Sequence, residues 1–115
     1  MIVPQNFDEL ITQASNENLY VKLVKQLNKD FLRANIDLDF EEDILPTSLK
    51  YLLQDTVFKL IQEKFAEYLN VLYIIDVPEH KIKQLDGSDV VELSEQVAFL
   101  ILQREWQKVW YRNKY

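Results

Sequence analysis

DVVELSEQVAFLILQREWQKVWYR, residues 89–112, reads as a helix whose apolar face changes direction halfway along. Asp89 followed by Glu92 is a capping-box pattern, in which the first side chain accepts a backbone N–H from the opening turn and the second reaches back. At about 100° per residue, the first half aligns Val90, Leu93, Val97, Leu100 and Ile101. In the second half the apolar centre lies about a third of a turn away, at Phe99, Leu102, Trp106, Val109 and Trp110. Arg104, Lys108 and Arg112 take over the original face. Such a helix must meet different neighbours at its two ends. Val97–Leu102, apolar on all sides, is expected to be the most buried stretch of the chain.

The segments before it supply those neighbours. Asn6 with Glu9 is a second capping pattern, opening a short helix with Phe7, Leu10, Ile11 and Ala14 on one face. Ser15 and Asn16 punctuate, and a helix over 17–34 follows with Leu19, Tyr20, Leu23, Val24, Leu27, Phe31 and Ala34 as its stripe. Just after Pro46, Thr47 or Ser48 opens a long helix that the periodicity carries to Ile75, through Leu53, Val57, Leu60, Ile61, Phe65, Tyr68 and Leu72. Pro78 starts a short helix, and Gly87 is its expected C-cap.

Two segments carry a β signal. Residues 36–40 alternate apolar and acidic, and residues 71–75 are a partly β-branched apolar run. Paired, they would form a minor two-stranded ribbon and make the chain α+β. A lone ribbon adds little stability, so helix is preferred at 71–75. The expected fold is an all-α, irregular four- to five-helix bundle, one domain over residues 1–115, with a long third helix and a long C-terminal helix.

Composition narrows function by exclusion. The 115 residues include 48% apolar side chains, 28% charged side chains and fourteen aromatics, enough for one core. There is no cysteine, hence no disulfide, thiolate nucleophile or cysteine metal site. One glycine leaves no phosphate-cradling loop, dinucleotide fingerprint or nucleophile elbow. The first residues lack a basic and apolar leader, and no apolar run approaches a membrane span, so the cytoplasm is the expected compartment. The net charge of −6 argues against nucleic acid and anionic membranes as partners. It is unevenly spread. Residues 1–103 hold nine bases against eighteen acids, and residues 104–115 four bases against one acid.

Candidate sites are few. His80 is the sole histidine, and Pro78 interrupts any helical spacing between it and Asp76, so no metal site is expected. Asp37, Asp39, Glu41, Glu42 and Asp43 resemble a calcium loop in spacing alone. The sixth and twelfth positions hold Glu42 and Ser48, where such a loop needs glycine and a bidentate glutamate. Ser15, Ser48, Ser88 and Ser94 have no evident activating base. No cofactor is implied, no small-molecule site is evident, and the balance leans away from an enzyme. Lys22, Lys25, Lys29 and Arg33 read as a solvated face of the second helix. Arg104, Lys108 and Arg112 lie beside Trp106, Trp110, Tyr111 and Tyr115.

The leading expectation is a non-catalytic interaction or adaptor protein that self-associates, as a homodimer, through its C-terminal aromatic helix. Leu102, Trp106, Val109 and Trp110 would form the apolar contact, because Trp, Tyr and Arg dominate binding hot spots. Arg104, Lys108 and Arg112 would reach Asp37, Asp39, Glu41, Glu42 and Asp43 of the partner or of the same chain. The alternative is a small acidic protein of the inhibitor or immunity type that offers its carboxylates to a basic protein. A carboxylate enzyme or ligand-binding bundle comes third, since it requires a buried polar pocket.

Overall fold

Six helices account for most of the chain: α1 (Phe7–Asn16), α2 (Tyr20–Arg33), α3 (Pro46–Glu63), α4 (Phe65–Ile75), α5 (Glu79–Lys83) and α6 (Val90–Lys114). These come from a computed structural model that describes residues 1–114; Tyr115 lies outside the described residues. No strand occurs among the described residues, and the fold is an all-α bundle. No described helix is long and apolar enough to cross a membrane.

Side-chain caps fix where α1 and α6 begin. Asn6 Oδ1 accepts from the Glu9 N–H at 2.9 Å, while Glu9 Oε2 accepts from the Gln5 N–H at 2.8 Å, one residue before the usual reciprocal partner. Asp89 Oδ1 accepts from the backbone N–H groups of Val91 and Glu92 at 2.9 and 3.3 Å and opens α6. The second helix starts at Tyr20 rather than at residue 17. Glu17 closes α1 by donating to the Gln13 carbonyl, and Asn18, which donates to the Ser15 carbonyl, turns the chain in the left-handed region at φ 58°. Likewise α5 ends at Lys83, well before Gly87, which has no positive φ and caps nothing.

The long third helix is two helices. Buried positions follow one phase through Leu49, Leu53, Val57 and Leu60, and resume at Tyr68, Val71 and Ile75. A continuous helix would place residue 64 on that buried face, and residue 64 is lysine. The backbone departs from helical angles there (φ −140°, ψ 61°), and Lys64 emerges into solvent. Its N–H still donates to the Leu60 carbonyl at 2.9 Å, and its carbonyl still accepts from Tyr68 at 3.0 Å. The interruption is therefore a one-residue kink.

The 36–40/71–75 ribbon does not form, because residues 71–75 are helical within α4. The 36–40 segment is an extended connector held by a side chain. Asn28 Nδ2 donates to the Phe40 carbonyl at 2.9 Å, and Asn28 Oδ1 accepts from the Phe40 N–H at 3.1 Å. One amide group thus meets both backbone needs that a partner strand would have met.

The buried side chains of α1, α2, α3, α4 and α6 form one continuous cluster, with α6 against each of the other four. Trp106, Ile101, Leu102 and Val97 of α6 pack with Leu10, Leu23, Leu27, Phe31, Leu49 and Leu53. The apolar run 97–102 is not enclosed on every side, however. Phe99 and Leu100 are only half-buried and floor a surface cleft.

Candidate functional site

Residues 36–44 loop from α2 to α3, and their alternation now has a structural meaning. Ile36, Leu38, Phe40 and Ile44 turn partly inward against the core, while Asp37, Asp39, Glu41 and Asp43 stay exposed. The Asn28 clamp on Phe40 and the hydrogen bond from the Tyr20 hydroxyl to the Ile44 carbonyl (2.6 Å) pin the loop to α2 at its middle and at its C-terminal end. Leu52, Asp55 and Thr56 of α3 complete a groove of about 520 Å³ with an apolar floor and five carboxylates along it. No lysine or arginine lines it. A second depression shares Asp37 and Asp39 and includes Leu32, which is 58% exposed. Leu45, 70% exposed, stands beside Ile44. Of the five acids at 37–43, Glu42 alone among the described residues has a cation partner, Lys25 at 3.4 Å, and both ends of that pair are mostly in solvent.

The C-terminal residues lie elsewhere, and they lie inside. Leu102, Trp106 and Val109 belong to the monomer's own core, and Trp106 is fully buried with its indole N–H donating to Gln13 Oε1 at 3.0 Å. Trp110 is partly buried, with the Tyr111 ring edge-on at 5.0 Å and the Lys114 ammonium 5.7 Å from its centroid. The three basic residues are not directed at 37–43. Arg104 Nε donates to the Asp76 carbonyl at 3.1 Å, Arg112 Nη1 donates to Gln26 Oε1 at 2.7 Å, and Lys108 turns inward.

Lys108 enters a buried ionic cluster that the sequence reading does not contain. Its Nζ donates to Asp30 Oδ2 at 2.7 Å, and Gln26 Nε2 donates to the same oxygen at 3.0 Å. Glu105, fully buried one turn before, places Oε1 2.7 Å from Lys108 Nζ, yet neither Glu105 oxygen accepts a well-directed hydrogen bond. A buried carboxylate in that condition would be strongly destabilising. Burial, and then the Asp30 carboxylate beside it, push the Glu105 carboxyl up to about 8. At neutral pH it therefore keeps its proton and donates to Asp30. Burial would raise Asp30 as well, but the hydrogen bonds from Glu105, Lys108 and Gln26 and the charge of Lys108 hold it below its ordinary value. The result is one anion, one inward-turned cation and one neutral acid between α2 and α6, with Arg33 reaching Asp30 Oδ1 at 3.9 Å from the solvent side.

Glu105 escapes sequence reading because it interrupts a basic stretch and looks like its solvated counter-charge. A signal was nonetheless present: Glu105 lies between Leu102 and Val109 along the apolar face and immediately before Trp106. Asp30 and Glu105 are enclosed by protein and line no described pocket, while Gln26 also borders a surface depression beside Lys22, Lys25, Lys29 and Arg112; the cluster ties α2 to α6. His80 is exposed on α5. No protein-family model, curated protein or solved structure matches this chain.

Proposed function

We propose that this protein is a non-catalytic binding module that captures a basic, amphipathic segment of a protein partner in the acidic groove between the 36–44 loop and α3. The observation that carries this reading is the lining itself: five carboxylates, of which only Asp55 has an ion-pair partner among the described residues, apolar side chains beneath them and no lysine or arginine on the lining. A cationic helix or extended segment would satisfy both halves, its apolar side chains on Leu38, Phe40 and Leu52 and its lysines or arginines on the rim. Carboxylates at a rim chiefly raise association rate and specificity, so affinity would come from the apolar floor. This is the mode of a small acidic inhibitor or adaptor facing a basic protein. A synthetic amphipathic Leu/Lys peptide, with a Leu/Glu peptide as control, tests it by fluorescence anisotropy. The wild type should bind the basic peptide only, and Asp37→Asn, Asp39→Asn, Glu41→Gln and Asp43→Asn combined should weaken binding about tenfold or more. Equal binding by the neutralised variant would refute the reading.

Self-association is a second reading, favoured by a different observation. Phe65, Leu69 and Tyr73, at helical spacing along α4, are 54%, 51% and 83% exposed. Three large apolar side chains in a row form a seam that a second copy could cover. Sedimentation equilibrium at high micromolar concentration would reveal a dimer that Leu69→Lys abolishes. A monomer at that concentration removes this reading and leaves the groove unaffected.

A further inference from the structure

The cleft floored by Phe99 and Leu100 lies on the other side of α3 from the acidic groove. Lys50 and Gln54 of α3 line it, whereas Leu52, Asp55 and Thr56 line the groove. Its volume is about 400 Å³, within the range of small-ligand sites, and most of its surface is apolar. Two polar groups in it lack the partners their chemistry calls for. Gln96 Oε1 is buried and accepts no hydrogen bond among the described residues. The Lys50 ammonium sits 5.4 Å from the Phe7 ring and 5.5 Å from the Tyr51 ring, with no carboxylate in ion-pairing range among the described residues. Glu95 also lines the cleft and does not pair with it.

We propose that this cleft binds a small amphipathic acid: an apolar chain over Phe99 and Leu100, an anionic head at Lys50, and a hydrogen-bond donor that supplies Gln96 Oε1. Each element answers a separate observation. The apolar lining sets the body of the ligand. The uncompensated ammonium, already over two aromatic faces, sets the sign of its charge. The orphaned acceptor demands an N–H or O–H, because a buried carbonyl oxygen left unpaired is a standing penalty that a donor removes. An N-acyl amino acid combines all three. The Gln5 and Asn6 side chains at the edge of the cleft add neutral polar groups, and Glu95 is the one other charged residue on its lining, so the anionic head is placed at Lys50. The proposal does not rest on the acidic groove and would survive the loss of that reading.

The test uses the full chain and three probes below their micellar concentrations. N-decanoylglycine carries chain, N–H and carboxylate. O-decanoylglycolate replaces the N–H by oxygen, and the methyl ester of N-decanoylglycine removes the charge. Heteronuclear NMR titration should show saturable shifts at the Gln96 side-chain amide and at residues 99 and 100 with N-decanoylglycine. O-decanoylglycolate should bind about tenfold more weakly for want of the donor. The ester should bind up to about fivefold more weakly, as expected for a partly exposed ion pair. Lys50→Gln should erase the difference between acid and ester, and Gln96→Leu the difference between the N–H and O probes. Both variants alter partly exposed side chains, and their spectra report folding directly. Absence of saturable binding at millimolar probe, shifts confined to the Phe65–Tyr73 face, or discrimination unchanged in both variants would overturn the assignment.

Discussion

Lys108 of α6 places its ammonium 2.7 Å from the carboxylate of Asp30 in α2, a residue 78 positions earlier in the chain. Asp30 is almost wholly buried, so this contact compensates a charge that water cannot reach. Whether such a pair stabilises relative to an apolar one is a separate matter, because desolvating both ions offsets much of their attraction. Removing one member is not ambiguous.

Lys108→Met should therefore destabilise the protein by about 3 kcal/mol, since Asp30 would stay charged with only Arg33, 3.9 Å away and mostly in solvent, as a cation partner. Adding Asp30→Asn to Lys108→Met should recover a large part of that loss, as interacting sites depart from additivity. Urea denaturation of the two single variants and the double variant measures the coupling. Strict additivity would mean that the contact is energetically idle.

Glu105 makes stability depend on pH. Unfolded, its carboxyl titrates near 4.5; folded, it holds its proton up to about 8. Between these values the folded state binds more protons, so stability falls as pH rises; the favourable contribution is complete below 4.5 and is lost through about 8. Asp30 acts with opposite sign at acid pH, its contribution being present above its unfolded value of 3.8 and lost as pH falls below it. Glu105→Gln, which keeps an N–H to donate to Asp30 and cannot ionise, should flatten the decline and leave the variant the more stable protein at pH 8.5. The gain should be a few kcal/mol at most. Urea midpoints at pH 5 and 8.5 decide this, and an unchanged slope in the variant would remove Glu105 as its source.

Neighbouring positions in α6 should differ sharply. Ile101 is enclosed, so Ile101→Ala should cost about 2–5 kcal/mol, whereas Leu100, half open to its cleft, should cost less than half as much. Lys25→Ala should stay within about ±0.5 kcal/mol, because its pair with Glu42 is exposed. Denaturant midpoints for the three variants check the order. Equal losses at 100 and 101 would contradict the open cleft.

The placement of site residues shows where local reading stops. The exposed carboxylates at 37–43 are legible because a run of acids with no base has no cheaper place than solvent. Arg104, Lys108 and Arg112 look equivalent on a helical wheel, yet one meets Asp76, one enters the core and one bridges to Gln26. What separates them is the identity of residues 28 to 86 positions away, including the Asp30 carboxylate that draws Lys108 inward. The same holds for the tryptophans. Periodicity shows that Trp106 and Val109 need a cover, and α1 and α2 provide it within the monomer.

Sequence by itself determined the helical class, the capping at Asn6 and Asp89, and the face each of the first two helices buries. These are properties of residues three or four apart, whose hydrogen bonds and contacts close within one turn. Tertiary structure alone decided three further matters. It kinked the chain at Lys64, because a lysine in phase with the core stripe can leave the core only if the helix breaks. It opened a cleft over Phe99 and Leu100, because α6 is apolar on more sides than the other helices can cover. And it kept a proton on Glu105, because packing removes that carboxyl from water and the approach of α2 then sets the Asp30 carboxylate beside it.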